Sequence, residues 1–133
     1  RFVERGLAEP PFFIQCILGI LGGIGAEPEN LGFMKATADR LFGSEAYQLS
    51  VLVAGRMQTR LLTQSLTVGG NVRVGLEDTL YLAPGVMARS NADQVSKIRL
   101  IMDGLDLEVA TPSEVRLMLG TKCRIPRDCR PAS

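Results

Sequence analysis

The chain has 133 residues, with 15 Lys and Arg against 14 Asp and Glu, no histidine and 46% hydrophobic residues. This length and composition predict one globular unit with a sizeable core, and a formal charge of +1 with only 5% aromatic residues argues against nucleic-acid binding. Because histidine is absent, the chain contains no Ser-His-Asp triad, no Cys-His pair and no imidazole metal ligand.

The cysteines and the longest apolar stretch bear on where the protein works. Cys16, Cys123 and Cys129 are odd in number and widely spaced, which favours a reducing, cytoplasmic setting over a disulfide framework. The apolar stretch 12–25 is too short and too interrupted by glycines to cross a bilayer, so we expect no membrane partner. The chain begins with Arg1 rather than Met, which suggests a piece of a longer protein.

The first part of the chain alternates predicted strands with predicted helices. Short apolar runs closed by glycine are typical of strands buried on both faces, whereas apolar residues at a spacing of three or four are typical of helices. We predict strands at 12–19, 49–54 and 71–76, a helix from 27 to Gly43 with the stripe Leu31, Met34, Ala38 and Leu41, and a helix at 56–67 with Leu61, Leu62, Ser65 and Leu66 inward.

The second part reads as a loop, two helices and a tail. A loop containing Pro84-Gly85 leads to a helix that begins at Ser90, with the apolar stripe Val95, Ile98, Ile101 and Leu105. Thr111 and Glu114 form a capping-box pattern that opens a last helix ending at Gly120. We therefore divide the chain into residues 1–121, a folded unit, and 122–133, an Arg- and Pro-rich tail predicted to be poorly ordered.

Three consecutive strand-helix pairs are typical of right-handed parallel β/α units. Three parallel strands would leave both sheet edges open, which invites pairing with another chain and predicts a homo-oligomer. A (β/α)8 barrel needs about 250 residues, so the pattern favours a fragment of a larger α/β fold.

One charged cluster stands at the end of the third predicted strand. Arg73, Glu77 and Asp78 follow a buried strand, and ligands bind at the carboxyl ends of strands in parallel β/α folds. Neighbouring carboxylates can divide their work, one taking a metal or a proton while the other stays ionised, and an arginine can hold an anion. A salt bridge that ties the strand end to the loop explains the same residues equally well.

This stretch, GGNVRVGLEDTLYLAPG at 69–85, resembles the beta-keto acid cleavage enzyme family, which includes 3-keto-5-aminohexanoate cleavage enzyme. SNADQV at 90–95 and EVATPSEVRLMLG at 108–120 follow at family-like distances, and the upstream segments 4–23 and 51–58 are similar to that family too. The resemblance covers nearly all of residues 5–122.

The resemblance implies the C-terminal part, about the last three β/α units, of a zinc-dependent (β/α)8 TIM barrel. Its reaction converts a β-keto acid and acetyl-CoA into acetoacetate and a new CoA ester. On the matching motif, Glu77 would be a zinc ligand, Asp78 the acid/base or water-orienting group, and Arg73 the cation that holds the substrate or intermediate. The partners implied are the β-keto acid and acetyl-CoA.

This chain also departs from the family pattern. The remaining zinc ligands of the family form a His-x-His pair on an early strand, which this chain lacks, so we expect these residues to be inactive alone. Asn71 and Thr79 stand where His and Asn are expected to be frequent, which leaves the substrate range open. Two alternatives remain: a non-catalytic truncated barrel paralogue that acts as an oligomerising chain, and another barrel enzyme with different acid/base chemistry.

Weaker signals have plain explanations. The glycines at 19, 22, 23 and 25 could cradle a phosphate, but a tight strand-to-helix loop is favoured because no phosphate-binding spacing is present. Arg56 and Gln58 could reach a substrate, although a solvated arginine at a helix start is favoured. Cys16 is expected in the core and Asn91 in a helix cap.

Overall fold

The computed structural model describes residues 3–121, so the predicted tail at 122–133 lies outside the described residues. Within the described part, strands and helices alternate as the periodicity predicts. The strands are β1 (Phe12–Leu18), β2 (Tyr47–Val53), β3 (Asn71–Val72), β4 (Tyr81–Ala83) and β5 (Val86–Met87), and the helices are α1 (Pro28–Phe42), a 3-10 turn (Ser44–Ala46), α2 (Gln58–Thr67), α3 (Asn91–Asp103) and α4 (Pro112–Met118).

The first three strands form one parallel sheet in the order β1, β2, β3. Cys16 lies opposite Val51, and Ser50 lies opposite Asn71. The predicted succession of parallel β/α units is therefore confirmed. Because the strands are parallel, their carboxyl ends lie at the same end of the sheet, and the Arg73 cluster was predicted to lie at that end.

The third strand is shorter than predicted. Pairing with β2 ends at Val72, with one further hydrogen bond from the Arg73 N–H to the Val51 carbonyl at 2.9 Å. The chain then turns, and the Asp78 N–H donates to the Gly75 carbonyl at 3.0 Å. The predicted strand at 71–76 was too long because apolar residues continue to alternate through Val74 into this turn.

Helices α1 and α2 cover one face of the sheet and form the core with it. The side chains enclosed most completely come from the strands and from both helices: Leu18, Val51, Val53, Leu31, Leu61 and Leu62. The predicted inward face of α2 is confirmed, since all four of its residues are buried. Cys16 lies in the same core as a free thiol, as predicted.

Truncation of this core should have a large effect on stability. We expect Leu61→Ala to lower the free energy of unfolding by about 2–5 kcal/mol, because a fully enclosed leucine leaves a cavity when it is shortened. Urea unfolding of the variant measures the loss, and Leu100→Ala, at an exposed position of α3, is the matched control. A loss no larger than that of the control would contradict the assignment of Leu61 to the core.

The other face of the sheet is open along β1. Phe13 is 56% exposed and Ile17 is 43% exposed, so the prediction that this strand is buried on both faces is wrong. Burial alternates along the strand because α1 and α2 cover only the face that carries Cys16 and Leu18. An unbroken apolar run in the sequence does not show whether one face or both faces of a strand will be covered.

Two further elements differ from the sequence prediction. The predicted loop around Pro84-Gly85 contains the antiparallel hairpin β4–β5, whose strands are too short to give a periodic signal. In α3, Val95 is exposed and Gln94 is buried in its place beside Ile98. Leu41 of the predicted α1 stripe is exposed as well. The helix starts were predicted correctly, since Ser90 caps α3 and the Thr111–Glu114 capping box begins α4.

A charged contact fastens α1 to the start of β2. The Lys35 ammonium donates to Asp39 at 2.8 Å, and the Tyr47 hydroxyl donates to Asp39 at 2.7 Å. The hydrogen bond from Lys35, followed by that from Tyr47, lowers the pKa of Asp39 below its ordinary 3.8. Burial and the neighbouring Asp39 raise the pKa of Tyr47 to about 12.

This contact predicts a dependence of stability on acid. A carboxyl with a lowered pKa stabilises the fold above its ordinary pKa of 3.8, and this contribution disappears as the pH falls through the lowered value. We therefore expect Asp39→Asn to reduce the free energy of unfolding at neutral pH. Between pH 5 and about pH 2, the free energy of unfolding should then fall less in the variant than in the unchanged protein. Urea unfolding across that range checks it, with the exposed Asp103→Asn as control. Parallel pH curves for Asp39→Asn and the unchanged protein would contradict it.

Within residues 3–121, none of the helices has both the length and the apolar character that crossing a membrane requires.

Candidate functional site

The turn after β3 gathers the three charged residues singled out in the sequence. The Arg73 Nη2 atom contacts the Glu77 Oε1 atom directly and lies 3.9 Å from the Asp78 Oδ2 atom. On an extended strand, Glu77 would share a face with Arg73 and Asp78 would point away. The turn between Gly75 and Asp78 removes that difference, so both carboxylates face one guanidinium.

Gly75 makes this arrangement sterically possible. A Cβ atom at Gly75 would lie 2.2 Å from the Glu77 Oε2 atom, closer than any real contact. A side chain at this position would therefore require the exposed Glu77 carboxylate to move. Gly75 was not predicted as a site residue, although a glycine between an arginine and two carboxylates is the signal that would have indicated it.

Asp78 is the more enclosed of the two carboxylates. Its side chain is 9% exposed, and its Oδ2 atom is buried without a hydrogen-bond partner in the described part of the chain. Burial raises the pKa of Asp78, Arg73 opposes that rise, and the negative charge of Glu77 adds to it. Asp78 therefore takes up a proton more readily than an ordinary aspartate, which suits a group that accepts and returns protons.

Glu77 has the opposite character. Its side chain is 56% exposed. A hydrogen bond from its own backbone N–H, followed by the bond from Arg73, lowers the pKa of Glu77, and the same bond raises the pKa of Arg73. Glu77 stays ionised where Asp78 is more easily protonated, so the two neighbours differ in the way that paired carboxylates with separate tasks require.

Helix α3 holds the turn from its first residues. The Asn91 Oδ1 atom accepts a hydrogen bond from the Leu76 N–H at 2.8 Å, and the Gln94 side chain donates to the Thr79 carbonyl at 2.6 Å. Sequence reasoning had placed Asn91 in a helix cap, but Ser90 supplies the cap and Asn91 anchors the turn. Two amide side chains three residues apart at a helix start could have indicated this shared role.

The weaker candidates are resolved by their surroundings. A Cβ atom at Gly19 would lie 2.7 Å from the Ala54 carbonyl oxygen, so this glycine serves close packing between β1 and the end of β2, as favoured. Arg56 is exposed, whereas Gln58 is buried, and both line a groove beside the turn. The Gly55 N–H donates to the Asp78 carbonyl at 3.0 Å and joins that groove to the charged cluster.

The donor set for a metal is incomplete in the described residues. Across residues 3–121, no three His, Cys, Asp or Glu side chains converge as a metal site would require. The exposed Glu77 carboxylate has the chemistry of a single zinc ligand, and a catalytic zinc takes three protein ligands. The described residues could therefore supply one ligand of a catalytic zinc site but not all three.

The sequence model of the beta-keto acid cleavage enzyme family matches residues 1–121. This chain belongs to the beta-keto acid cleavage enzyme family. The resemblance inferred from the motif at 69–85 is thereby confirmed, and the charged turn belongs to a member of this family.

Curated relatives of this chain are named as an acetyl-CoA transferase and as a keto acid cleavage enzyme. The chain is 55% identical over 122 residues to 3,5-dioxohexanoate:acetyl-CoA acetone transferase of Paraburkholderia graminis, covering 92% of this chain and 39% of the relative. It is 36% identical over 122 residues to 3-keto-5-aminohexanoate cleavage enzyme of Acetoanaerobium sticklandii, covering 90% of this chain and 42% of the relative. The chain thus spans about two-fifths of the length of these relatives.

A solved structure agrees with the fold. The structure titled "Apo structure of ObcA" superposes with a TM-score of 0.57 at 33% identity, covering 68% of this chain and 20% of that chain. A binary complex of ObcA with oxaloacetate matches equally well over the same shares. The mixed α/β arrangement described above is therefore shared with a solved protein over most of this chain.

Proposed function

We propose that this chain is the C-terminal part of a (β/α)8 barrel enzyme that exchanges acyl groups between a β-keto acid and acetyl-CoA. The observation that carries the proposal is the pairing of Arg73 with Glu77 and Asp78 at the carboxyl end of a parallel sheet, in a chain of this family. The β-keto acid R-CO-CH2-COO⁻ and CH3-CO-SCoA become R-CO-SCoA and acetoacetate, so every atom is conserved.

The barrel assignment is supported by what the sheet leaves uncovered. β1 is an edge strand with apolar residues exposed on the face away from the helices, and the chain spans about two-fifths of its relatives. Further strands beside β1 and β3 would cover both edges and that face, as closure of a barrel does. Residues 1–121 are then the barrel part, and residues 122–133 a tail.

Arg73 is proposed to hold the negative charge of the substrate. Removing a proton from the CH2 group between the two carbonyls of a β-keto acid gives an enolate, and its charge must be stabilised as it forms. The Arg73 guanidinium is half-exposed and can turn part of its donor fork towards that oxygen while it keeps its contact with Glu77.

Asp78 is proposed to move the proton. Its carboxyl is almost enclosed, and burial raises the pKa of Asp78 above that of an ordinary aspartate, which makes it a stronger base. The Oδ2 atom accepts no hydrogen bond from residues 3–121, so no donor there competes for its lone pairs. The proton is returned when the new thioester leaves.

Glu77 is proposed as a zinc ligand, with the remaining ligands, a His-x-His pair, supplied from outside this chain. Its exposed, ionised carboxylate suits that task. When bound, zinc would supply Lewis-acid polarisation of the β-carbonyl.

Homo-oligomerisation and a cytoplasmic setting belong to the same proposal. The cytoplasmic setting is supported by the use of cysteine in the sequence. Homo-oligomerisation was predicted from open sheet edges, and because barrel closure would cover those edges, it would have to use another surface of the barrel.

A labelling experiment tests the reaction. The complete protein, incubated with β-keto acids and acetyl-CoA carrying two ¹³C atoms in the acetyl group, should form acetoacetate labelled at C3 and C4 and an unlabelled new CoA ester. Mass spectrometry with fragmentation locates the label. Failure to form acetoacetate from any β-keto acid in the panel, or label at C1 and C2, would refute the proposed exchange.

A further inference from the structure

A groove of about 960 Å³ opens beside the charged turn. One wall is formed by residues 55–60, which lead into the first turn of α2, and the other by residues 79–85, which include β4 and the turn that follows it. The hydrogen bond from the Gly55 N–H to the Asp78 carbonyl joins the wall of the groove to the proposed site. A volume of this order accommodates a nucleotide-sized ligand.

The groove is positively charged. Arg56, Arg60 and Lys97 line it, and no acidic residue is among its lining residues. Lys97 donates to the Thr59 hydroxyl at 2.8 Å and to the Leu82 carbonyl, so this lysine ties the two walls together. Arg56 and Arg60 are exposed and take part in none of the ion pairs formed within residues 3–121. Two arginines that have no carboxylate partner among residues 3–121 thus line one groove.

A buried amide provides independent support for a ligand. Gln58, the first residue of α2, is only 6% exposed, and its Nε2 atom has no hydrogen-bond partner in the described part of the chain. A buried donor without an acceptor is costly, and an anionic oxygen in the groove would satisfy it. The helix dipole of α2, ten residues long, favours negative charge at the same end.

We propose that this groove binds the phosphate groups of the CoA thioester. This inference rests on the proposed function, because that reaction requires a thioester whose acyl carbon reaches Arg73 and Asp78. The negative charge of CoA lies in its 3′-phosphate and pyrophosphate, at the opposite end from the sulfur. One guanidinium group can bind two phosphate oxygens at once. Arg56 and Arg60 would therefore hold the nucleotide while the pantetheine arm runs towards Asp78.

The test measures binding apart from turnover. Adenosine 3′,5′-bisphosphate is titrated into the complete protein by calorimetry, with the unchanged protein, Arg56→Gln/Arg60→Gln, and Arg99→Gln as a matched control at an exposed position outside the groove. We expect the double variant to bind the nucleotide at least about tenfold more weakly, and the control to bind it as the unchanged protein does. Arg56→Lys/Arg60→Lys, which keeps both charges, should retain part of the affinity.

Kinetics separate this site from the proposed reaction. In the double variant the KM for acetyl-CoA should rise by the same factor with kcat little changed, whereas acetyl-pantetheine, which lacks the phosphates, should react alike in both proteins. Equal nucleotide affinity in the double variant and the unchanged protein would overturn the groove assignment while leaving the reaction intact. Binding that depends on the arginines in a protein without acyl exchange would support the groove and refute the reaction.

Discussion

Replacing Arg73 by alanine in the complete protein should reduce acyl exchange by about 10²–10³-fold or more, with zinc content unchanged. The guanidinium contacts the Glu77 carboxylate and lies 3.9 Å from the Asp78 Oδ2 atom, so it is placed to stabilise charge that forms beside both. A guanidinium is not a metal ligand, and its removal leaves the donor atoms of Glu77 in place. Turnover of a β-keto acid with acetyl-CoA tests the loss of acyl exchange, and elemental analysis tests whether the zinc content is unchanged.

Two controls make the interpretation of this variant specific. Arg73→Lys keeps the charge but loses the planar fork of donors, so it should recover only part of the activity. Arg99→Ala, at an exposed position of α3, should retain full turnover. If Arg73→Ala turned over substrate as the unchanged protein does, the pairing after β3 would be a salt bridge that only ties the strand end to the turn.

Glu77→Gln is expected to abolish most zinc binding and, with it, most turnover. The substitution keeps the size of the side chain and replaces an anionic oxygen ligand by a neutral amide. Losing one of three protein ligands leaves a site that holds the ion far more weakly. Zinc content after dialysis against a weak chelator is the direct readout, and the matched control is Glu108→Gln, at an exposed carboxylate outside the turn.

The outcome distinguishes two explanations of the Arg73–Glu77 pair. Full zinc content in Glu77→Gln together with normal folding, judged by circular dichroism, would eliminate the ligand assignment. Activity lost without loss of zinc would instead assign Glu77 to positioning Arg73, the contact seen in the structure.

The sequence was sufficient to predict β1 and β2 from their apolar runs, α1, α2 and α3 from apolar residues at helical spacing, and α4 from its capping box. It was also sufficient to place the charged cluster, since Arg73 follows a strand that β2 pairs in parallel. It was not sufficient for the β4–β5 hairpin, whose strands of three and two residues give no measurable alternation. The open face along Phe13 and Ile17 depends on which elements lie beside the sheet, which local sequence does not record.

The geometry of the site was harder to predict than its composition. A period of two residues placed Asp78 away from Arg73, and only the turn at Gly75 reverses that. The anchoring amides were missed for a related reason. Gln94 occupies a position of α3 where an apolar residue was expected, because its hydrogen bond to the Thr79 carbonyl compensates for burying an amide.

The hydrogen bonds from α3 determine how this part of the protein could be exchanged between relatives. Asn91 and Gln94 hold the turn on both sides of Glu77 and Asp78. Both amides belong to α3, which follows the turn in the sequence. A chimera that transplants only the loop would separate the carboxylates from the amides that fix them. The smallest exchangeable module runs from the start of β3 to the end of α3, residues 71–103. A chimera that exchanges this whole segment would carry the charged turn together with the amides that hold it.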